Sequence, residues 1–171
     1  MRKKLHRTLL VLLLVLTPPY FLIFTEEGQR IADNTLLWLI GGDSIEFNIR
    51  ELNSEFSRAD VLKVFPDQDW QCAEQKTPFG TELCAAEISA YNDYPAHYLT
   101  MFFANGKVSA MKMVYRKNYH QQLQAHLIEQ LGAPINNANP QVVEWNAPGG
   151  KVVMPQVLEA NTETAFLWLG N

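Results

Sequence analysis

The sequence predicts an α+β protein: an N-terminal transmembrane helix, then a small domain with a mostly antiparallel sheet packed by two or three helices. Three observations carry this. An uncharged stretch rich in Leu and Val runs from Thr8 to Thr25, behind the cations Arg2, Lys3, Lys4 and Arg7. Asn105-Gly106 sits between two runs of apolar β-formers, the strongest short hairpin signature. Leu123, Leu127, Ile128 and Leu131 recur at helical spacing, and Gly132 and Pro134 follow.

The N-terminal stretch sets the organisation. Residues 1–7 read as a cytoplasmic basic flank, 8–25 as a transmembrane signal anchor, 26–42 as a juxtamembrane helix and 43–171 as a periplasmic α+β domain. A cleaved signal peptide would end in small residues. Here Thr17-Pro18-Pro19-Tyr20-Phe21-Leu22-Ile23-Phe24-Thr25-Glu26 has no such pair, and no cysteine nearby to take a lipid. An uncleaved anchor is therefore expected, with a cleaved peptide as the alternative. A span needs about 20 residues, so Leu5 to Phe24 suffices only if Pro18 and Pro19 are tolerated. Each removes an amide donor and should kink or stop the helix. Basic residues before the span predict a single-pass protein of a bacterial inner membrane, with its N-terminus cytoplasmic and its C-terminal domain exported.

Glu26 to Ile40 reads as a helix with a polar side and an apolar side, ended by Gly41-Gly42. Its Leu36-Leu37-Trp38-Leu39-Ile40 stretch suits either an outer leaflet or partner surface, or packing on its own domain. Ile45, Phe47 and Ile49 alternate within a strand expected over Asp43–Leu52. Ser57-Arg58-Ala59-Asp60 reads as a helix start, with Val61, Leu62, Val64 and Phe65 on one apolar face and Pro66 as the stop. Asp67 to Gly80 is expected as a loop holding Trp70 and the first cysteine. A strand follows over Glu82–Ala90, then turn chemistry over Tyr91–Ala96. The hairpin arms are Tyr98–Phe103 and Val108–Tyr115, apolar on both faces and so expected at the sheet centre. A helix over Tyr119–Leu131 leads through a loop to strands at Gln141–Trp145, Lys151–Met154 and Ala165–Leu169. The order, helix then strands twice over, is a loose internal echo.

Composition excludes one class of partner. The chain has 14 Lys+Arg and 18 Asp+Glu, and four of those cations precede the anchor. The exported part keeps ten cations against eighteen carboxylates, a formal charge of −8. Phosphate recognition needs clustered Lys and Arg, so no nucleic-acid partner is expected. Cys72 and Cys84, the two cysteines, both lie in the exported part. In an oxidising compartment such a pair reads as a structural disulfide.

Two segments resemble a known group. Ser57-Arg58-Ala59-Asp60-Val61-Leu62 and Leu127-Ile128-Glu129-Gln130-Leu131-Gly132-Ala133-Pro134 are each followed by strands. This pattern resembles the fold group of small bacterial envelope proteins that includes the SmpA/OmlA-type lipoproteins and the β-lactamase inhibitor proteins. The resemblance implies scaffolding and protein binding, and carries no functional residue across. The chain departs from the lipoproteins in having an anchor and no lipid-accepting cysteine.

Catalytic chemistry has little support. His120 and His126 are six apart on one helix and cannot share a metal as an i, i+4 pair does. His97 precedes a core strand and reads as a turn histidine. No nucleophile elbow, phosphate loop or dinucleotide loop occurs. Asp67 and Asp69 lack the remaining positions of a calcium loop. No catalytic residue, metal ligand or cofactor is therefore assigned, and the protein is not expected to be an enzyme. Trp70, Tyr91, Tyr94, His97 and Tyr98 are candidates for a binding rim, with Phe79 nearby; the other reading is the core edge of a small sheet. The expected partners are the lipid bilayer, through the anchor, and an envelope protein. A small-ligand or glycan sensor is the alternative, and a hydrolase the third.

Overall fold

A computed structural model describes residues 15–40, 42–135, 139–159 and 162–171, with the backbone alone at 26, 34 and 36–40. The basic flank, the first part of the expected anchor and the side chains of Leu36–Ile40 lie outside the described residues. The chain divides into two compact units, Met1–Gly41 and Gly42–Asn171.

In the first unit, helix α1 is described over 15–24 and α2 spans Glu26–Ile40. Pro18 and Pro19 do not stop α1; the break falls at Thr25. The Thr25 hydroxyl donates to the Phe21 carbonyl (2.7 Å) and accepts from the Gly28 amide (3.0 Å), so it ends one helix and caps the next. Gly28 is required by close approach, because a Cβ there would lie 2.0 Å from the Phe21 oxygen. Every described side chain from Val15 to Phe24 is exposed. Among the described residues no helix is long and apolar enough to cross a membrane.

The second unit is α+β with a mostly antiparallel sheet. Its strands are β1 (Ser44–Ile45), β2 (Gln71–Thr77), β3 (Gly80–Glu87), β4 (Ala90–Tyr91), β5 (Tyr94–Ala104), β6 (Lys107–Tyr115), β7 (Val142–Ala147), β8 (Gly150–Pro155) and β9 (Ala165–Gly170). Its helices are α3 (Arg58–Val64) and α4 (His120–Leu131), with 3-10 turns at Ile49–Glu51 and Lys117–Tyr119. The path runs β1-β4-β5-β6-β9-β8-β7, with β2 and β3 joined to the far part of β5; among the described residues only β1 and β4 pair in parallel. Two antiparallel meanders, each opened by a helix, thus meet where β6 pairs with β9. The first holds β2, β3, β5 and β6 plus the short β4, one pairing strand more than the echo in the sequence implies.

Register builds the core. One row crosses seven strands: Cys72, Cys84, Met101, Met111, Trp168, Val152 and Trp145. All but Cys72 are 0–1% exposed. Leu123 and Leu127 of α4 and Val61 of α3 join the same cluster. The expected hairpin is present, with Asn105 and Gly106 both at positive φ (54° and 77°) between the paired Ala104 and Lys107. It is central as expected, since β6 pairs on both sides and Phe102 and Val114 are buried on the face away from that row.

Four expectations need correction. Tyr91–Ala96 is not all turn: Tyr91 ends β4 and Tyr94–Ala96 open β5, so the turn is confined to Asn92 and Asp93, both at positive φ. Asp67–Gly80 is not all loop: Gln71–Thr77 is a strand. Its polar residues gave no pattern because it is an outer strand, paired only with β3. Asp43–Leu52 keeps the alternation as burial of Ile45, Phe47 and Ile49, yet only Ser44 and Ile45 pair as strand before the chain turns into a 3-10 helix. Val61, Leu62, Val64 and Phe65 do not share one face: Val61 and the C-cap Phe65 are buried, whereas Leu62 and Val64 are 38% and 48% exposed.

Candidate functional site

The structure disperses the five candidate rim residues. Tyr91 is 1% exposed and lies in the core. Among the described residues its hydroxyl has no hydrogen-bond partner, and burial pushes its pKa up. Trp70 is half-buried; its Nε1 donates to the Phe65 carbonyl (3.3 Å). Tyr94 is half-buried against His126, with ring centroids 5.2 Å apart. Burial raises its pKa, and Glu129 and Asp93 add to that. His97 is exposed. Tyr98 is half-buried, with the Lys112 ammonium 5.8 Å from its ring centroid. Lys112 also pairs with Glu163, and partial burial lowers its pKa.

Three of the five belong to one aromatic chain whose links are sequence-distant. It runs Trp70, Phe65, Phe47, Tyr91, His126, Tyr94, with centroid spacings of 6.3, 5.1, 5.1, 6.2 and 5.2 Å. Beside it, Asn92 acts as a strand extension. Its Oδ1 accepts from the Phe47 amide and its Nδ2 donates to the Phe47 carbonyl, both at 3.0 Å. Nδ2 also lies 3.1 Å from His126 Nε2, and Gln130 Nε2 lies 2.8 Å from the same atom. Two amide donors on one ring nitrogen make Nε2 the acceptor and place the proton on Nδ1. Burial lowers the His126 pKa, although Glu129 opposes this.

Beside the Phe65–Phe47 link of this aromatic chain lies a cleft of about 90 Å³ lined by Phe47, Glu51, Leu52, Phe56, Val64 and Phe65. Its walls come from the 3-10 turn, the segment after it and the end of α3. Local sequence explains their placement. Ser57 and Asp60 form a capping box that starts α3, and the Ser57 hydrogen bonds hold the Asp60 carboxylate below its usual pKa. The Val108 amide donates to the Phe56 carbonyl (2.8 Å), tying this segment to the sheet. Phe47 and Phe65 meet edge to face at 5.1 Å. The lining is apolar except for Glu51, whose side chain forms no ion pair among the described residues. Its parts are scattered over Phe47–Phe65, so spacing did not reveal it. The one signal in the sequence is the surplus of apolar residues on a two-turn helix.

Cys72 and Cys84 stand directly opposite one another on β2 and β3 and are joined by a disulfide. Among the described residues no group of three or more His, Cys, Asp or Glu is placed to hold a metal ion. No protein-family model, curated protein or solved structure matches the chain.

Proposed function

We propose that this is a non-enzymatic, membrane-anchored protein whose exported domain binds another envelope protein. The observation that carries the reading is apolar surface left over after the core is built. Leu62 and Val64 stay exposed on α3, and Val64 lines an apolar cleft. Exposed apolar groups beside a cleft favour a protein partner over a solvated face. For the anchor, the support is the basic flank and the exposed Val15–Phe24 stretch. An anchor near a partner replaces a three-dimensional search with a high effective concentration. The resemblance to the SmpA/OmlA-type lipoproteins and β-lactamase inhibitor proteins belongs to the same proposal, since α3 and α4 each precede a run of antiparallel strands.

The test is affinity capture from detergent-solubilised membranes with the full chain and with a form lacking Asp43–Asn171. A partner recovered only with the complete chain is expected. Recovery of the same proteins by both forms would overturn the reading, and so would a chain that fractionates as soluble with an N-terminus after Thr25.

A further inference from the structure

We propose that His126 is a pH-sensitive latch: with its ring uncharged it holds the Phe47–Ile49 segment on the domain through the side chains of Asn92 and Gln130, and on taking a proton it lets that segment go. The latch needs no partner, so it stands apart from the protein-binding reading.

Backbone pairing does not hold this segment. β1 ends at Ile45, and the 3-10 turn begins at Ile49. Among the described residues, the long-range hydrogen bonds of residues 46–50 all go to Asn92 or Gln130. Asn92 brackets Phe47: its Oδ1 accepts from the Phe47 amide and its Nδ2 donates to the Phe47 carbonyl, both at 3.0 Å. The backbone amide of Asn92 donates to the Ile45 carbonyl at 2.9 Å. Gln130 Oε1 accepts from the Ile49 amide (3.3 Å), and the Gln130 carbonyl accepts from Arg50 Nη1 (3.5 Å). These backbone partners fix which way round the two side-chain amides lie. Each is thereby left with its NH2 group against His126 Nε2, at 3.1 and 2.8 Å.

No local adjustment absorbs a proton here. An imidazolium donates at both nitrogens, so turning the ring offers the two amides no acceptor. Turning the amides would present oxygen to the ring, but it would set NH2 groups against the Phe47 and Ile49 amides and oxygen against the Phe47 carbonyl. Phe47 and Ile49 are buried, where unpaired polar groups are costly. Neighbouring charge does not rescue the contact. Glu129, on the same helix, favours the proton, but burial of the ring outweighs it. From β4 and β5 the ring meets Tyr91 and Tyr94, at 6.2 and 5.2 Å, with Asp93 acting on Tyr94. The segment itself brings a cation, Arg50. A ring freed from the amides takes a proton more readily than the latched one, so proton uptake and release of the segment are coupled. The segment is therefore held at pH 7 and freed progressively below about pH 6.5. Phe47, with Glu51 and Leu52 just beyond the segment, walls the cleft, so the cleft changes shape in the same window.

The experiment uses the full chain, 15N-labelled, in phosphatidylcholine nanodiscs. At pH 7.5 the His126 ring should carry its proton on Nδ1, with Nε2 at the 15N shift of an unprotonated nitrogen. Between pH 7 and 5, amide exchange at Phe47 and Ile49, corrected for the intrinsic rate, should rise about tenfold, while β5 and β6 stay protected. His126→Gln offers an oxygen near the same place and does not titrate, so it should keep exchange flat across that range. Gln130→Glu should keep the segment held at pH 5, because one carboxylate oxygen accepts from Ile49 and the other from the protonated ring. His120→Gln should leave the rise in place, which separates the latch from the other buried histidine. A proton on Nε2 at pH 7.5 overturns the proposal. So does a rise below about twofold, or an equal rise across β5 and β6, which would mean unfolding of the whole domain. A rise that survives His126→Gln or Gln130→Glu, or that disappears with His120→Gln, overturns it as well.

Discussion

Asn92 and His126 together do a job that backbone pairing does elsewhere. The Asn92 amide bonds Phe47 in both directions, and His126 accepts from Asn92 and Gln130, so three distant segments share one hydrogen-bonded knot. A protonated His126 could not accept, and the two amide donors would lose their partner. His120 is also buried, 2.7 Å from the Tyr115 hydroxyl, and burial lowers its pKa as well. For both histidines the folded pKa is below the unfolded value of about 6.5. The unfolded state therefore takes up protons first as pH falls, and stability present above that value is lost below it. The groups around His126 are Tyr91, Tyr94, Asn92, Gln130 and Glu129; only Glu129 pulls the other way. Thermal unfolding should thus fall in midpoint between pH 7 and 5. A His120→Gln/His126→Gln double variant should be less stable at pH 7 but flatter across that window. Asp60 acts in a lower window, where loss of its charge undoes the capping box. At this scale the individual aromatic residues were legible, but neither their grouping nor their partners were. The five candidate rim residues are dispersed, and only Trp70, Tyr91 and Tyr94 share one aromatic chain. Phe47, Phe65 and His126 link them only after three elements converge.

Elements divide by how local their causes are. The Asn105-Gly106 hairpin follows from turn chemistry and was legible; the helical spacing of α4 was legible in part, since Leu123 and Leu127 are buried and Leu131 partly so, whereas Ile128 is 42% exposed. The β2 strand has no such cause. Gln71–Thr77 is polar on both sides and becomes a strand because β3 offers it an edge and a disulfide holds it there. That dependence makes a prediction. A Cys72→Ala/Cys84→Ala double variant should lose roughly 3 kcal/mol in denaturant unfolding. Amide exchange over Gln71–Thr77 should accelerate before that of β5 and β6. A loss below about 0.5 kcal/mol, at the level of ordinary surface changes, would mean that backbone pairing alone holds β2. The short α3 helix shows the reverse case. Its start was legible from Ser57 and Asp60, but which of its apolar residues face inward depends on the neighbouring turn, and that contact is long-range.

For the whole molecule, the Gly42–Asn171 unit has its own continuous core, from Ile45 to Trp168. Produced alone, it should unfold in one cooperative step, with Trp145 and Trp168 emission characteristic of buried indoles. Red-shifted emission would instead make residues 1–41 part of its stability. The α+β class and the largely antiparallel sheet were legible, because helix and strand periods differ along the chain. The order of strands was not, because the chain's last strand pairs with β6 and β8 rather than lying at an edge. That placement makes β9 a seam. Without Ala165–Gly170 the β2-β3-β5-β6 meander and the β7-β8 hairpin still pair within themselves, but nothing joins them. β6 and β8 then each lose a neighbour, and a sheet opened at this seam carries two bare edges that invite pairing with other chains.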